Sequence, residues 1–335
     1  MQALQLPAVH QPATLREVPT PVPGPGEILV KLHAAALNHR DVWIQKGQYA
    51  GIKLPCTLGA DGAGEVAAHG PDVPADAPAV GARVLLYPGL RWGESPRVQA
   101  KDFVVLGMPD PGTFAEYITL PAHSIRPLPA HLSFEQGAAL PLSGLTAYRA
   151  AFTRAQVQPG ERVLVTGVGG GTALTAVQLC AARGAEVWVT SSSEQKIARA
   201  QEFGAKGGIS YNAEGWVKSL TQQAGGLFDV IIDSAAGAAF GALLDAAAPG
   251  GRIVFFGGTL GNIPDVPPAK VFWKQLSILG SSMGSSQDFE DLLALVAEKG
   301  IVPVVDQVFP LAEGEAALRR MEAGTQFGKI VLKIR

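Results

Sequence analysis

The chain has only two cysteines, Cys56 and Cys180, in 335 residues. That is too few for a disulfide framework or a cysteine-rich structural zinc site. Both lie in apolar surroundings, where cysteine behaves as a small buried hydrophobe. Runs of basic residues are also missing, and the net charge is -2. The clustered positive surface that nucleic-acid phosphates require is therefore not expected. No window approaches the roughly 18 consecutive apolar residues of a membrane span. The opening Met1-Gln2-Ala3-Leu4 lacks the basic stretch and apolar core of an export signal. These absences predict a soluble, cytoplasmic protein with neither nucleic-acid nor membrane partners. Charged residues are scarce at 17% against 47% hydrophobic, which argues against disorder.

What is abundant is Gly (40) and Pro (25), as suits an α/β protein with many tight turns. The length exceeds the roughly 250–300 residues at which one hydrophobic core stops growing, so two domains are expected. Residues 1–125 read as short strands divided by Pro and Gly, including Glu27–His33, Gly62–Ala68 and Gly81–Tyr87, the pattern of an irregular β-barrel. The texture then changes. Ser133-Phe134-Glu135-Gln136 has capping-box spacing, and strands at Arg162–Thr166, Glu186–Thr190, Gly208–Tyr211, Phe228–Asp233, Gly251–Phe256 and Ser277–Gly280 alternate with helical segments. This order predicts a parallel, doubly wound sheet over residues 126–283. A helix at Gln287–Lys299 and a terminal strand at Lys329–Ile334 are expected to return to the first domain, making it discontinuous (1–125 and 284–335).

A nucleotide site is written in the first of these βα units. The strand Arg162–Thr166 runs into Gly167-Val168-Gly169-Gly170-Gly171-Thr172-Ala173 and then a helix. Glycines let the backbone turn sharply and approach a pyrophosphate, which free amides and the helix dipole stabilise. Ala173 takes the last small position, where helix and strand pack closely. The second strand ends in Ser191-Ser192-Ser193, with no carboxylate where an NAD site places one on the ribose 2′-hydroxyl. Ser191 and Ser192 can donate to a 2′-phosphate and Lys196 can add positive charge, so NADPH is the expected cofactor. The serines can also cap the following helix, with Glu194 complementing its dipole.

Ala36-Leu37-Asn38-His39-Arg40-Asp41, Leu58-Gly59-Ala60-Asp61-Gly62-Ala63-Gly64, Val80-Gly81-Ala82-Arg83-Val84, Gly112-Thr113-Phe114-Ala115-Glu116-Tyr117, Leu145-Thr146-Ala147-Tyr148 and the glycine turn follow one another in order. On these motifs the chain resembles the medium-chain dehydrogenase/reductase superfamily over essentially its whole length, within it the zinc-free, quinone oxidoreductase-like branch. The resemblance implies a GroES-like catalytic domain joined to a Rossmann domain. The positions matching the catalytic zinc ligands of related alcohol dehydrogenases are Asn38, Ala60 and Leu142, and Arg91 to about Met108, matching the structural-zinc lobe, holds no cysteine. No metal is expected. The lone histidines, His39 included, read as hydrogen-bonded structural residues rather than ligands.

By the same resemblance the catalytic residues are Asn38, Tyr49 and Thr146, with Trp43 (usually a Tyr in that branch) and Asp41 on the substrate side. Asp61 takes the usual Glu position of the buried polar site, as a structural carboxylate or a catalytic one. Ser192, Lys196 and Tyr211 would contact the 2′-phosphate, and Phe256, Gly257 and Gly258 would pass the nicotinamide. Without a Lewis acid, polarisation of a carbonyl falls to the Asn38 amide, the Tyr49 hydroxyl and solvent. An electrophilic small molecule is then the expected substrate: a quinone, enone or similar carbonyl reduced by hydride from NADPH. An enoyl-thioester or 2-alkenal reductase, and a non-catalytic NADPH-binding interaction protein, are the alternatives. Relatives often dimerise through the last Rossmann strands, here Ser277–Ser281, so a homodimer is expected.

Overall fold

A computed structural model describes residues 1–334. The chain forms two compact units, Met1–Ser143 together with the segment from Ser285 onward, and Gly144–Gly284. The expectation divided them at 125/126. The intervening stretch belongs to the first unit because strand Ile125–Pro127 pairs with Arg83–Leu86, and the Phe134 ring stacks on His33 at 4.4 Å between centroids.

The first unit is organised around the strand Glu27–Ala36. Its burial alternates from Glu27 to Ala34, the period-2 signature of a strand with one face in the core, and its last residues are buried throughout. It pairs antiparallel with Asp61–His69 on one side. On the other, Tyr117–Pro121 covers its first half and Lys329–Lys333 its last three residues. Strand Val305–Pro310 extends the sheet in parallel beyond Lys329–Lys333. A smaller sheet joins Thr14–Glu17, Gln2–Leu6 and Cys56–Thr57. Ile28, Val30, Leu32, Val66, Leu86 and Leu120 pack in one cluster, and Leu37, Ile44, Leu58, Phe114, Leu318 and Ile330 in a second. Ser133 caps helix Phe134–Ala138 with the reciprocal Gln136 bonds its spacing predicts. Ser285 and Asp288 do the same for helix Ser286–Lys299.

The lobe at Arg91–Met108 has no cysteine and is tied down by side-chain contacts. Trp92 is buried with its ring edge-on to Phe103 at 5.2 Å. Arg91 bonds the Asp102 carbonyl at 3.1 Å and the Asp110 carboxylate at 3.0 Å, and the buried Arg40 donates to the Leu106 carbonyl at 2.7 Å.

The second unit is a six-stranded parallel sheet in the order Ala205–Ser210, Glu186–Ser191, Arg162–Val165, Phe228–Asp233, Ala247–Phe255, Ser277–Gly280. Numbered along the chain this is 3-2-1-4-5-6, the doubly wound dinucleotide-binding order, whose switch point lies beside the first strand. Leu164, Phe228, Ile231, Phe240 and Leu244 form its apolar cluster. The third and fifth strands start earlier than their apolar runs suggest. Gly207 and Gly208 lie in the third strand, where an added Cβ would come 2.7 Å from the Trp188 ring and 2.5 Å from the Val189 carbonyl. Glycines selected by such close approach carry no hydrophobic signal.

Candidate active site

The strand Glu27–Ala36 delivers Asn38 to the N-terminal boundary of helix His39–Gln45, with extended dihedrals (φ -131, ψ 153). Asp61 opens the neighbouring strand, where it sits opposite Ala36, so register alone brings Asn38 and Asp61 together. The Asn38 Nδ2 donates to Asp61 Oδ2 at 2.9 Å. The third member was absent from the sequence expectations. Lys329 begins the strand that pairs with the other edge of Glu27–Ala36, and its ammonium donates to Asn38 Oδ1 (2.7 Å), Asp61 Oδ2 (2.9 Å) and the Leu37 carbonyl (2.7 Å). All three ammonium hydrogens are thereby used. Asp61 Oδ1 accepts the Leu142 backbone N–H at 2.8 Å. Asn38, Asp61 and Lys329 are all buried, and such an ion pair is tolerated in the interior only because its remaining donors and acceptors are satisfied.

Of the positions expected to stand where relatives ligate catalytic zinc, Asn38 faces an ammonium ion and Leu142 contributes its backbone N–H to a carboxylate. Among the described residues no group of three or more His, Cys, Asp or Glu side chains could hold a metal ion. The residues present do not fit zinc: a fixed cation already bonds to Asn38 and Asp61. The histidines bear out their structural reading in part. The His131 and His69 rings meet the carbonyls of Ile301 and Pro78 at 3.0 and 2.9 Å, and His33 lies 3.3 Å from Glu65. His39 is tilted over Trp43 one turn on, at 6.3 Å between centroids. Desolvation and then the Lys329 charge hold its pKa below the usual imidazole value.

Tyr49 rests on Arg40, whose guanidinium lies 4.9 Å from its ring centroid, with Nε donating to the hydroxyl at 3.3 Å. The Tyr49 oxygen therefore accepts from Arg40 and keeps its own hydrogen to donate. Asp41 is a correction. Expected on the substrate side, it is fully buried, and its Oδ2 accepts the Asn38 N–H at 2.8 Å, so it anchors the helix start. The Asn38 amide is likewise less free than expected, since both ends are engaged and one Nδ2–H remains. Thr146 is buried on helix Pro141–Tyr148 and falls in the second unit. Cys56 and Cys180 are thiols pushed up by burial to about 11 and about 12, unsuited to nucleophilic roles.

In the second unit, Gly167 (φ +64) and Gly169 (φ +140) take backbone angles that disfavour a side chain, and Gly170 caps helix Gly171–Ala182. Thr172 and Ala173 form its first turn, with Ala173 buried against the sheet. The turn is pinned to the second strand by Val168 N–H to the Thr190 carbonyl at 2.7 Å. Ser191 is a second correction: it is buried, and its hydroxyl hydrogen goes to the Val168 carbonyl at 3.0 Å, so it braces the turn and has none left for a phosphate. Ser193 accepts the Lys196 N–H and caps helix Glu194–Gln201. Ser192 is left exposed between them. The Lys196 side chain lies over Gly169, where a Cβ would meet its Nζ at 3.2 Å. Tyr211 is exposed just beyond the third strand, its N–H on the Ser191 carbonyl at 3.1 Å.

A cavity of about 380 Å³ opens at the ends of the fifth and sixth strands, lined by Phe256, Gly257 and Gly258 with Ala236, Ile263 and Ser281 among others. Gly257 passes so close to the Ser234 carbonyl that a Cβ would sit 2.4 Å from it. The rim is held by Asp233, also absent from the expectations. Its carboxylate accepts Thr166 Oγ1 at 2.5 Å and the N–H groups of Ala235 (3.2 Å) and Ala236 (2.7 Å). A carboxylate closing a strand looks in sequence like an ordinary turn residue.

Two family models match the chain. One, described as an alcohol dehydrogenase GroES-like domain, covers residues 24–130, and the other, described as zinc-binding dehydrogenase, covers residues 171–298. A "Zinc-type alcohol dehydrogenase-like protein YogA" of Leptosphaeria maculans is 34% identical, over 97% of this chain and 96% of its own. A mouse (Mus musculus) quinone oxidoreductase is 32% identical over 94% and 92%. A crystal structure titled NAD-dependent alcohol dehydrogenase superposes with a TM-score of 0.94 at 38% identity, covering 100% of both chains. With both domains matched and the whole length covered, the chain belongs to the medium-chain dehydrogenase/reductase superfamily, in its quinone oxidoreductase-like branch.

Proposed function

We propose that the protein reduces quinones, enones or similar small electrophilic carbonyl compounds with NADPH, without a metal ion, and that it works as a homodimer. At the coarser level it is a nicotinamide-dependent oxidoreductase, as its family membership implies. The observation that carries the finer reading is the Lys329 ammonium bonded to both Asn38 and Asp61, the two side chains of the buried polar centre. A site so built has no open coordination position with which to polarise an unactivated alcohol. Substrates that are already electrophilic need orientation and a hydrogen bond instead.

The glycine turn from Gly167 to Gly171 would hold the cofactor pyrophosphate, Ser192 and Lys196 its 2′-phosphate, and Phe256, Gly257 and Gly258 its nicotinamide end. NADPH supplies a hydride when bound. Asn38 Nδ2–H donates to the substrate oxygen as negative charge develops there, and such donors are worth most when fixed in advance. Tyr49 O–H, whose oxygen accepts from Arg40, would donate to the same kind of oxygen. The proton that completes the two-electron reduction comes from Tyr49 or from solvent. In support of NADPH, no carboxylate ends the second strand and a lysine lies over the turn.

The test is initial-rate kinetics with NADPH and NADH against a quinone, an enone, a 2-alkenal and an enoyl-thioester, and with NADP⁺ against simple alcohols. NADPH-dependent reduction of quinone or enone with no alcohol oxidation is expected. Preference for NADH, or turnover confined to alcohols, would contradict the proposal. Faster reduction of the alkenal or the thioester would move the substrate class within the same chemistry.

A further inference from the structure

We infer that Lys329 is a positioning residue for Asn38: its ammonium fixes which way the Asn38 amide faces and so creates the one N–H that a substrate oxygen meets. This rests on the proposed reductase chemistry, which uses the Lys329 charge only to argue against a metal, and adds to that charge a role in orienting Asn38. The amide of an asparagine can turn over, exchanging its oxygen and nitrogen, at little cost unless its neighbours discriminate between them. Here they discriminate by charge. Oδ1 accepts from an ammonium at 2.7 Å and Nδ2 donates to a carboxylate at 2.9 Å. Turned over, the amide would set its NH2 against the ammonium and its carbonyl against the carboxylate, and neither contact could form a hydrogen bond. Asp61 alone could hold Nδ2, but without Lys329 the carbonyl end would lose its donor in a buried site.

Lys329 is itself held at every donor. Its third hydrogen is on the Leu37 carbonyl, one residue before Asn38. Gly328 precedes it with φ +112, so close to Val304 that an added Cβ would lie 2.4 Å from the Val304 carbonyl. The backbone N–H of Lys329 donates to that same carbonyl at 2.8 Å. The lysine thus enters the interior from a fixed backbone. With one Nδ2 hydrogen on Asp61, the second is the only hydrogen of the amide left for a substrate. A cation on the carbonyl end also polarises the amide and makes that hydrogen a stronger donor.

The test compares the full chain with Lys329→Arg, Lys329→Met and the double variant Lys329→Met/Asp61→Asn. The double variant removes both charges together, so that neither is stranded if Lys329→Met alone fails to fold. Quinone or enone reduction by NADPH is measured with kcat separated from KM, and NADPH binding is titrated independently. The amide orientation is read by selective ¹⁵N-asparagine labelling, which is tractable because the only asparagines are Asn38, Asn212 and Asn262.

The neutral variants are expected to lose about 10- to 100-fold in kcat, less than the roughly 100- to 1000-fold for deleting one preorganised donor, because the Asn38 N–H is misdirected and not removed. NADPH affinity should stay within about twofold, and the Asn38 side-chain amide resonances should shift in the free protein while those of Asn212 and Asn262 do not. Lys329→Arg should recover much of the loss. Unchanged kcat and unshifted Asn38 resonances in the folded double variant would overturn the assignment of Lys329 while leaving the reductase reading intact. A wild-type chain that binds NADPH but reduces none of the substrates would overturn both.

Discussion

At Asp41, burial and hydrogen bonding act in opposite directions. The carboxyl group is fully buried, Oδ2 accepts the Asn38 N–H, and Oδ1 has no hydrogen-bond partner among the described residues. Desolvation raises its pKa from 3.8 to about 6, overcoming the opposing effects of the Arg40 charge, the Asn38 hydrogen bond and the Lys329 charge, with Asp61 adding to the rise. The folded state therefore binds this proton more tightly than the unfolded chain does. Below about pH 4 both states are protonated and the group contributes no difference. Between about pH 4 and 6 the unfolded chain releases its proton while the folded state keeps it, so stability falls across that window and levels off above about 6, by roughly 3 kcal/mol in all for a shift of this size. Urea unfolding at pH 4.5 and pH 7 should show this loss in the wild type and its absence in Asp41→Asn. Equal pH dependence in the two proteins would show that Asp41 is ionised at no cost. In sequence, Asp41 reads as a polar residue beside Asn38 and so as a site residue. Only its burial shows that it serves the helix start.

Among the elements, the strand Ser277–Gly280 is one of the two edges of the parallel sheet, the other being Ala205–Ser210. It bonds to Ala247–Phe255 on one side and closes the sheet order on the other. Helix Pro268–Trp273, just before it, has no buried residue, and Phe272 and Trp273 are 62% and 80% exposed. An unpaired edge beside exposed aromatics invites pairing with a second copy across a twofold axis. Sedimentation equilibrium should give twice the chain mass for the wild type and the monomer mass for Phe272→Glu/Trp273→Glu. A monomeric wild type would remove the homodimer from the account. This strand was legible in sequence, as were Phe228–Asp233 and the glycine turn, because apolar runs bounded by glycine or a carboxylate carry their own punctuation. The starts of Ala205–Ser210 and Ala247–Phe255 were not, since Gly207, Gly208 and Gly251 answer to close packing against Trp188, Val189 and Ala248 rather than to any periodicity. The serine triplet was legible only as a group. Its division into a brace at Ser191, an exposed hydroxyl at Ser192 and a cap at Ser193 depends on which way each side chain points.

Across the whole molecule, the polar centre gathers Asn38, Asp61, Leu142 and Lys329 from segments separated by as many as 291 residues. The motifs around Asn38 and Asp61 mark their places in the chain, but nothing near Lys329 distinguishes it from a lysine at the exposed start of a terminal strand. Its role follows from topology: Lys329–Lys333 and Asp61–His69 both pair with Glu27–Ala36, and their ends converge beside Asn38. On the proposed reading, a buried ammonium at that point makes a transition metal there electrostatically unfavourable. The most direct measurement is metal content and NADPH-dependent quinone or enone reduction on one sample, before and after exhaustive dialysis against a strong chelator. Metal well below one ion per chain with an unchanged rate is predicted. Stoichiometric zinc whose removal abolishes turnover, and whose return restores it, would contradict a reductase that works through Asn38 and Lys329.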